Sequence, residues 1–376
     1  MLIRNGTVYT MTQKDPIVCD ILVKNGKIAA VGQNVSANGE EIIDATGLNI
    51  YPGFVEAHGH IGLDGYAMRY EGQDYNEYND PVTPQLRAID GYNPFDEALK
   101  LAAQAGVTTV CTGPGSSNVL GGTFVCVKTV GKRVDDVVLK EDVAMKCAFG
   151  ENVKFCYKEK GISSRMTNAA KLREMLFKAK EYQRKQDEGK DVSFDMKLEA
   201  LLPVLNNEIP LKAHAHQAND IFTAIRIAKE FDVKLTLEHA TEGHLIADEL
   251  AEEGYFVAIG PSFGVPSKIE LKNKTFATPG ILAKAGCHVS IITDSPVTPQ
   301  SALPLCAGLA VQSGMDKYEA LKAITINPAE HIGVEDRVGS IEVGKDADIV
   351  LCRGDVMEVN HEIELVLIDG KKVEMV

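Results

Sequence analysis

The stretch NDIFTAIRIAKEFDVKLTLEHATEGHLIADELAEEGYFVAIG, residues 219–260, decides the fold class. Its first thirteen residues place apolar side chains at helical spacing, and VKLTLEH (233–239) follows as an apolar strand. HLIADELAEEG (244–254) then repeats the helix and YFVAIG (255–260) repeats the strand. Working outward, FDEALKLAAQAG (95–106) leads into VTTVCTG (107–113), and TPGILAKAG (278–286) leads into HVSIITD (288–294). Such alternation predicts a parallel sheet covered by helices. The middle of the chain, roughly 280 residues, suits a closed (β/α)8 barrel of the TIM type. A doubly wound open sheet would carry a glycine-rich phosphate turn after its first strand, and none is evident.

The two ends read differently. LIRNGTVYTM, DILVKNGKIAAVG and EEIIDATG alternate apolar and polar residues, with Asn5-Gly6 and Asn25-Gly26 as tight-turn signals. Near the other end, VGSIEVGKDADIVLC gives a turn and a strand, and IELVLIDGKKVEMV a hairpin tipped by Asp369-Gly370. Two β-rich ends around a long middle predict a composite β-sandwich domain, residues 1–52 plus 335–376, whose edges pair with each other. The barrel then spans 53–334. The mixed-charge stretch from 164 to 192 reads as a solvated helix.

The bulk numbers exclude several classes. A net charge of -14 argues against nucleic acid and anionic membranes as partners. There is no apolar run of membrane-spanning length, and MLIRNGTVYTM lacks the features of a signal peptide. The eight cysteines include no CxxC pair and several lie in apolar strands, as Cys111 and Cys287 do. Buried free thiols point to a reducing cytoplasm.

Chemistry is concentrated in the nine histidines. His58 and His60 stand two apart after the first barrel strand, so their rings face one side. His214 and His216 make a second HxH at a strand end, His239 ends the next strand and Asp294 a later one. Four strand ends thus offer imidazole or carboxylate, a donor set suited to zinc, with iron or manganese as alternatives. The loop TGPGSSNVLGGT (112–123), with Ser116 and Asn118, reads as facing a small-molecule substrate. Arg87, in TPQLRAIDGYNP, is a candidate clamp for a substrate carboxylate, although a surface arginine is the commoner case. His244, His288, His331 and His361 read as structural or surface residues.

VEAHGH (55–60) after DATGLNIYPGF, the closing INPAEHIGVEDRVGSIEVGKDADIVL (326–351), and KAHAHQ, LEHATEG and ITDSP in order between them resemble the amidohydrolase superfamily. The likeness covers nearly the whole chain and runs closest to the imidazolonepropionase-like and prolidase-like branch. It implies that one or two divalent metals are held by His58, His60, His214, His239 and Asp294. Asp294 would act as base and then acid in C–N hydrolysis, with His239 helping to polarise the carbonyl. His216 is left as a substrate group. Gln217 stands where deaminases and imidazolonepropionases carry an acid, which departs from those activities. The bridging ligand of two-metal members falls to Lys146 or Glu151, in VAMKCAFGEN. A prolidase-like dipeptidase is the alternative within this family, and barrels of this type often form homo-oligomers. A non-catalytic binding relative would have lost ligands, whereas all five expected residues are present.

Overall fold

A computed structural model describes all residues except Asn38, Ala67 and Val376; Asn38 and Val376 fall within the segments expected to form the terminal domain. The N-terminal strands are β1 (Leu2–Val8), β2 (Ile17–Lys24), β3 (Lys27–Gly32), β4 (Ile42–Asp44) and β5 (Asn49–Pro52). The central strands are β6 (Phe54–Gly59), β7 (Val107–Thr112), β8 (Leu120–Thr123), β9 (Val125–Lys128), β10 (Val138–Lys140), β11 (Met145–Ala148), β12 (Leu211–Ala215), β13 (Leu235–His239), β14 (Phe256–Ile259) and β15 (Val289–Ile291). β16 (Ile349–Arg353), β17 (Glu362–Ile368) and β18 (Lys371–Lys372) close the chain.

Both termini share one eight-stranded sheet, because β16 pairs antiparallel with β5. Asn25 and Gly26 both adopt positive φ in the tight turn between β2 and β3, and Asp369 and Gly370 do so in the β17–β18 turn. Asn5-Gly6 departs from expectation. It lies inside β1, where Asn5 at φ 62° takes up a register shift instead of ending the strand. Lys128 of β9 fastens this sheet to the centre: its buried ammonium meets Asp348 at 2.6 Å, Asp346 at 3.1 Å and Asp369 at 3.4 Å.

In the centre, β11–β12–β13–β14–β15 are parallel neighbours, as are β6 and β7. The expected helices cover them. Glu97–Gln104 is capped by the Asp96 side chain, Ala218–Phe231 buries Ile221, Ala224, Ile225 and Ala228, and Arg165–Asp187 is the long charged helix. The sheet is not uniformly parallel. β8 joins β11 antiparallel and β9 joins β7 antiparallel, which gives one six-stranded and one four-stranded sheet. A third of the glycine-rich 112–123 loop, Leu120–Thr123, is therefore the buried strand β8.

The segment Ala323–Ile324 lies between the edges of the two central sheets: its carbonyls accept from Ile291 N and Val55 N. Below it, the fully buried Glu56 of β6 accepts from Thr293 N at 2.9 Å, Thr293 Oγ1 at 2.7 Å, Gln300 Nε2 at 2.7 Å and His58 N at 3.1 Å. Burial pushes its carboxyl up to about 7, against the pull of those four donors. Glu56→Ala leaves all four donors without an acceptor in a dry interior. We expect a loss of about 3 kcal/mol or more in urea unfolding, and a much smaller loss for Glu56→Gln.

Candidate functional site

The strand ends bring the histidines and aspartate picked out by spacing to one place. His58, His60 and Asp294 form one group, and His214, His216 and His239 a second. Within each group, one ligand atom per residue lies within 4.8 Å of the others. The His239 ring connects the two, with centroids 5.0 Å from His58 and 4.4 Å from His214. All five imidazoles are buried.

Most rings are oriented from behind. His60 Nδ1 lies 2.7 Å from Gly113 O, His239 Nδ1 2.7 Å from Gly260 O, and His216 Nδ1 2.7 Å from Thr241 Oγ1. His58 Nδ1 stands 3.1 Å from Glu238 Oε2. A ring held at Nδ1 by an acceptor keeps its Nε2 lone pair for the interior. There, His60 Nε2 and His58 Nε2 lie 3.2 and 3.7 Å from Asp294 Oδ1. Lys146 Nζ is 3.1 Å from His58 Nε2.

Ligand atoms about 2.1 Å from a tetrahedral ion stand roughly 3.4 Å apart, so these separations fit a cation. Asp294 Oδ1 and both ring nitrogens of His214 are buried without a hydrogen-bond partner. Buried polar atoms rarely go unmatched. The donor set therefore fits a divalent metal.

The backbone is strained at two of these residues. His239 has φ 74° and Asp294 has φ 52°, in the left-handed region that side chains with a Cβ seldom occupy. In β13, Glu238 points into the interior, and simple alternation would turn its neighbour His239 away. The left-handed residue at the strand end breaks that alternation.

Electrostatics follow burial. Desolvation holds His58, His214 and His216 well below the usual imidazole value, helped by Lys146 at His58, by His239 at His214 and by His214 at His216. Burial also lowers His239 and His331. Lys146 is lowered to about 8, again by burial. For Asp294, burial works upward but His239, His60 and His58 outweigh it, and its carboxyl is held far below the usual range.

The other expected site residues have the following partners. Glu151 opens the helix Glu151–Tyr157, and its backbone N donates to Glu270 Oε2 at 2.9 Å. Arg87 precedes a short helix, is 45% exposed and faces Glu141 at 3.5 Å. Ser116 accepts from Asn152, and Asn118 bonds Asp80 O and Tyr157. Gln217 accepts from Arg165 Nη2 at 2.5 Å. His244 meets Thr278, His288 faces Glu330 and His361 contacts Glu358 O, all outside the two groups.

The sequence reading passed over several groups. Glu238 is fully buried between Lys212 at 3.0 Å, His331 at 3.1 Å and Thr236 at 2.8 Å, and it backs His58. Tyr75 stacks on His60 at 5.0 Å. Glu270 Oε1 lies 3.7 Å from His216 Nε2 and 3.9 Å from His214 Nε2. A signal existed for some of these. Glu56, His58 and His60 share one strand parity, and Lys212, His214 and His216 share another. A charged residue two positions before a ligand, in a strand otherwise buried, marks the same face.

With the fold and site in view, the family is plain. The amidohydrolase family model matches residues 49–373, so the chain belongs to the amidohydrolase family, a family of carbon–nitrogen hydrolases. It superposes on the crystal structure of an amidohydrolase from Thermotoga maritima MSB8 with a TM-score of 0.96 and 42% identity, over 99% of each chain. It is 27% identical to the amidohydrolase tasK of Hapsidospora irregularis over 93% of its own length, but spans only 39% of that relative. It is 25% identical to an imidazolonepropionase of Geobacillus sp. (strain WCH70), over 93% of this chain and 84% of the other.

Burial holds the imidazole pKa of His58, His214, His216, His239 and His331 below the unfolded value of about 6.5. As pH falls below that value the unfolded chain takes up protons the folded chain refuses, so stability drops. Glu56 acts in the opposite sense between about 7 and the ordinary carboxylate range, but is one group against five. Calorimetry of metal-free protein should show Tm falling steadily from pH 7 to pH 5; a flat profile would contradict the neutral assignment.

Proposed function

We propose that the chain is a metal-dependent hydrolase that opens the C–N bond of an amide or cyclic amide in a small molecule. The observation that carries this reading is Asp294: a carboxylate only 14% exposed, with one enclosed and unmatched oxygen, set 3.2 and 3.7 Å from the Nε2 atoms of His60 and His58. A divalent cation held by these residues supplies a Lewis acid that activates water near neutral pH and polarises the carbonyl. Imidazole and carboxylate donors favour zinc, with iron and manganese next.

Asp294 takes the proton as water attacks the carbonyl carbon, then hands it to the leaving nitrogen, which lets the C–N bond break. His239 stands between the two groups and stabilises the oxyanion side of that reaction. Lys146 is the stronger candidate for a bridging group, because its nitrogen faces His58 while the Glu151 carboxylate is turned toward Glu270 N, 3.4 Å away. With its pKa near 8, Lys146 has a neutral fraction at pH 7. That amine can take up CO2 as a carbamate with release of one proton.

The architecture belongs to the same proposal. The two central sheets are read as one distorted (β/α)8 barrel over 53–334, and the terminal sheet as its β-sandwich companion, 1–52 plus 335–376. Eight free cysteines support a reducing, cytoplasmic setting. Among the described residues no helix is long and apolar enough to cross a membrane.

The test is a hydrolysis screen of zinc-reconstituted protein against imidazolones, hydantoins, dihydropyrimidines and N-acyl amino acids. Asp294→Asn should lower kcat on any substrate found by at least about a thousandfold while still binding metal. Full turnover in that variant would refute the role of Asp294. Intact-mass measurement under native conditions should find one added CO2 on the wild type and none on Lys146→Met; an unmodified wild type removes the bridging role.

A further inference from the structure

Phe124 stands at the changeover between the two central sheets. β8 ends at Thr123 in the six-stranded sheet, and β9 begins at Val125 in the four-stranded one. Phe124 N donates to Ala144 O at 3.0 Å, and Phe124 O accepts from Val143 N at 2.8 Å. Both backbone groups are thereby fixed, and the side chain is fully enclosed.

The ring meets His58 at 5.1 Å between centroids, tilted by 36°, and His60 at 6.3 Å, tilted by 56°. The Lys146 ammonium stands 5.5 Å and the Lys212 ammonium 5.4 Å from its centroid, both within cation–π range. These lysines are direct partners in β11 and β12, and neither is more than 1% exposed. Like charges so placed repel, and burial leaves them poorly screened. Glu238 meets the Lys212 charge at 3.0 Å, and the negative face of the aromatic ring attracts both ammoniums. An aliphatic side chain fills the same space but offers no such face.

The backbone beside the ring is shaped to admit it. A Cβ at Gly113 would come within 2.4 Å of the Phe124 ring, so the position needs glycine. The carbonyl of the same Gly113 lies 2.7 Å from His60 Nδ1. One glycine therefore seats the aromatic ring and orients the imidazole.

We propose that Phe124 is a positioning residue of the site. Its ring is the floor against which His58 and His60 are set, it holds the Lys146 nitrogen beside His58, and the antiparallel joins of β8 and β9 bring it there. The consequence for metal binding rests on the hydrolase reading; the fixing of the two imidazoles does not.

The experiment compares Phe124→Leu with Phe231→Leu. The control also removes a buried ring, stacked on Phe177 at 4.7 Å, at the end of helix Ala218–Phe231 remote from His216. In metal-free protein, proton NMR of selectively labelled histidines should show one sharp set of ring signals each for His58 and His60. Phe124→Leu should broaden or double both sets and leave His216 as it was, because the two rings are no longer held in one orientation. Zinc affinity, read by competition with a chelator, should fall by at least about tenfold in Phe124→Leu. It should be unchanged in Phe231→Leu, although both variants lose stability. Para-fluorophenylalanine placed at Phe124 should shift its fluorine resonance as zinc binds, a readout that survives if Phe124→Leu does not fold. Unchanged zinc affinity in Phe124→Leu, an equal loss in Phe231→Leu, or a fluorine signal indifferent to bound zinc would each overturn the proposal. A wild type that takes up no zinc would overturn the hydrolase reading instead. The histidine signals then decide alone, and sharp His58 and His60 signals in Phe124→Leu would overturn the positioning role.

Discussion

The hydrogen bonds of Glu56 hold the site together. This carboxylate is fully enclosed, and its four donors come from its own strand, from Thr293 and from Gln300. Two residues after Glu56 comes His58, and one residue after Thr293 comes Asp294. The bonds that satisfy a buried acid therefore also set the distance between an imidazole and a carboxylate that come from opposite ends of the central sheets.

Glu238 plays the same part on the neighbouring strands. Its oxygens face Lys212, His331, Thr236 and His58, and these partners outweigh the burial that would otherwise raise its pKa. One acid thereby orients a ring of the first group and neutralises a lysine on the strand that carries His214 and His216. His331, read from the sequence as a structural or surface residue, is buried and belongs to this support. The strand backbone pays locally for the arrangement: the left-handed residues His239 and Asp294 are those whose side chains must turn inward at a strand end.

The two groups of residues differ in their electrostatics. The His58–His60–Asp294 group contains a carboxylate whose histidine neighbours hold it far below the usual range. The His214–His216–His239 group has neutral imidazoles and the Glu270 carboxylate beside them. Gln217 is tied to Arg165, and Glu270 reaches His214 and His216 from a different strand end.

The sequence alone determined the order of elements and singled out the histidines and the aspartate that the fold gathers. Helix and strand periods are local, and so is the rule that residues two apart on a strand share a face; residues 219–260 and the two HxH pairs were legible for that reason. Asn5-Gly6 shows the limit, since a turn signal became a bulge once β1 had partners on both sides. Tertiary structure decided the antiparallel joins of β8 and β9, the approach of Lys146 to His58, and the partners of Arg87, Ser116 and Asn118. It alone revealed Glu238 and Glu270, and the partners of Glu56. The role of a buried charge depends on which distant group neutralises it, and no spacing along the chain encodes a partner more than two hundred residues away, as Gln300 is from Glu56.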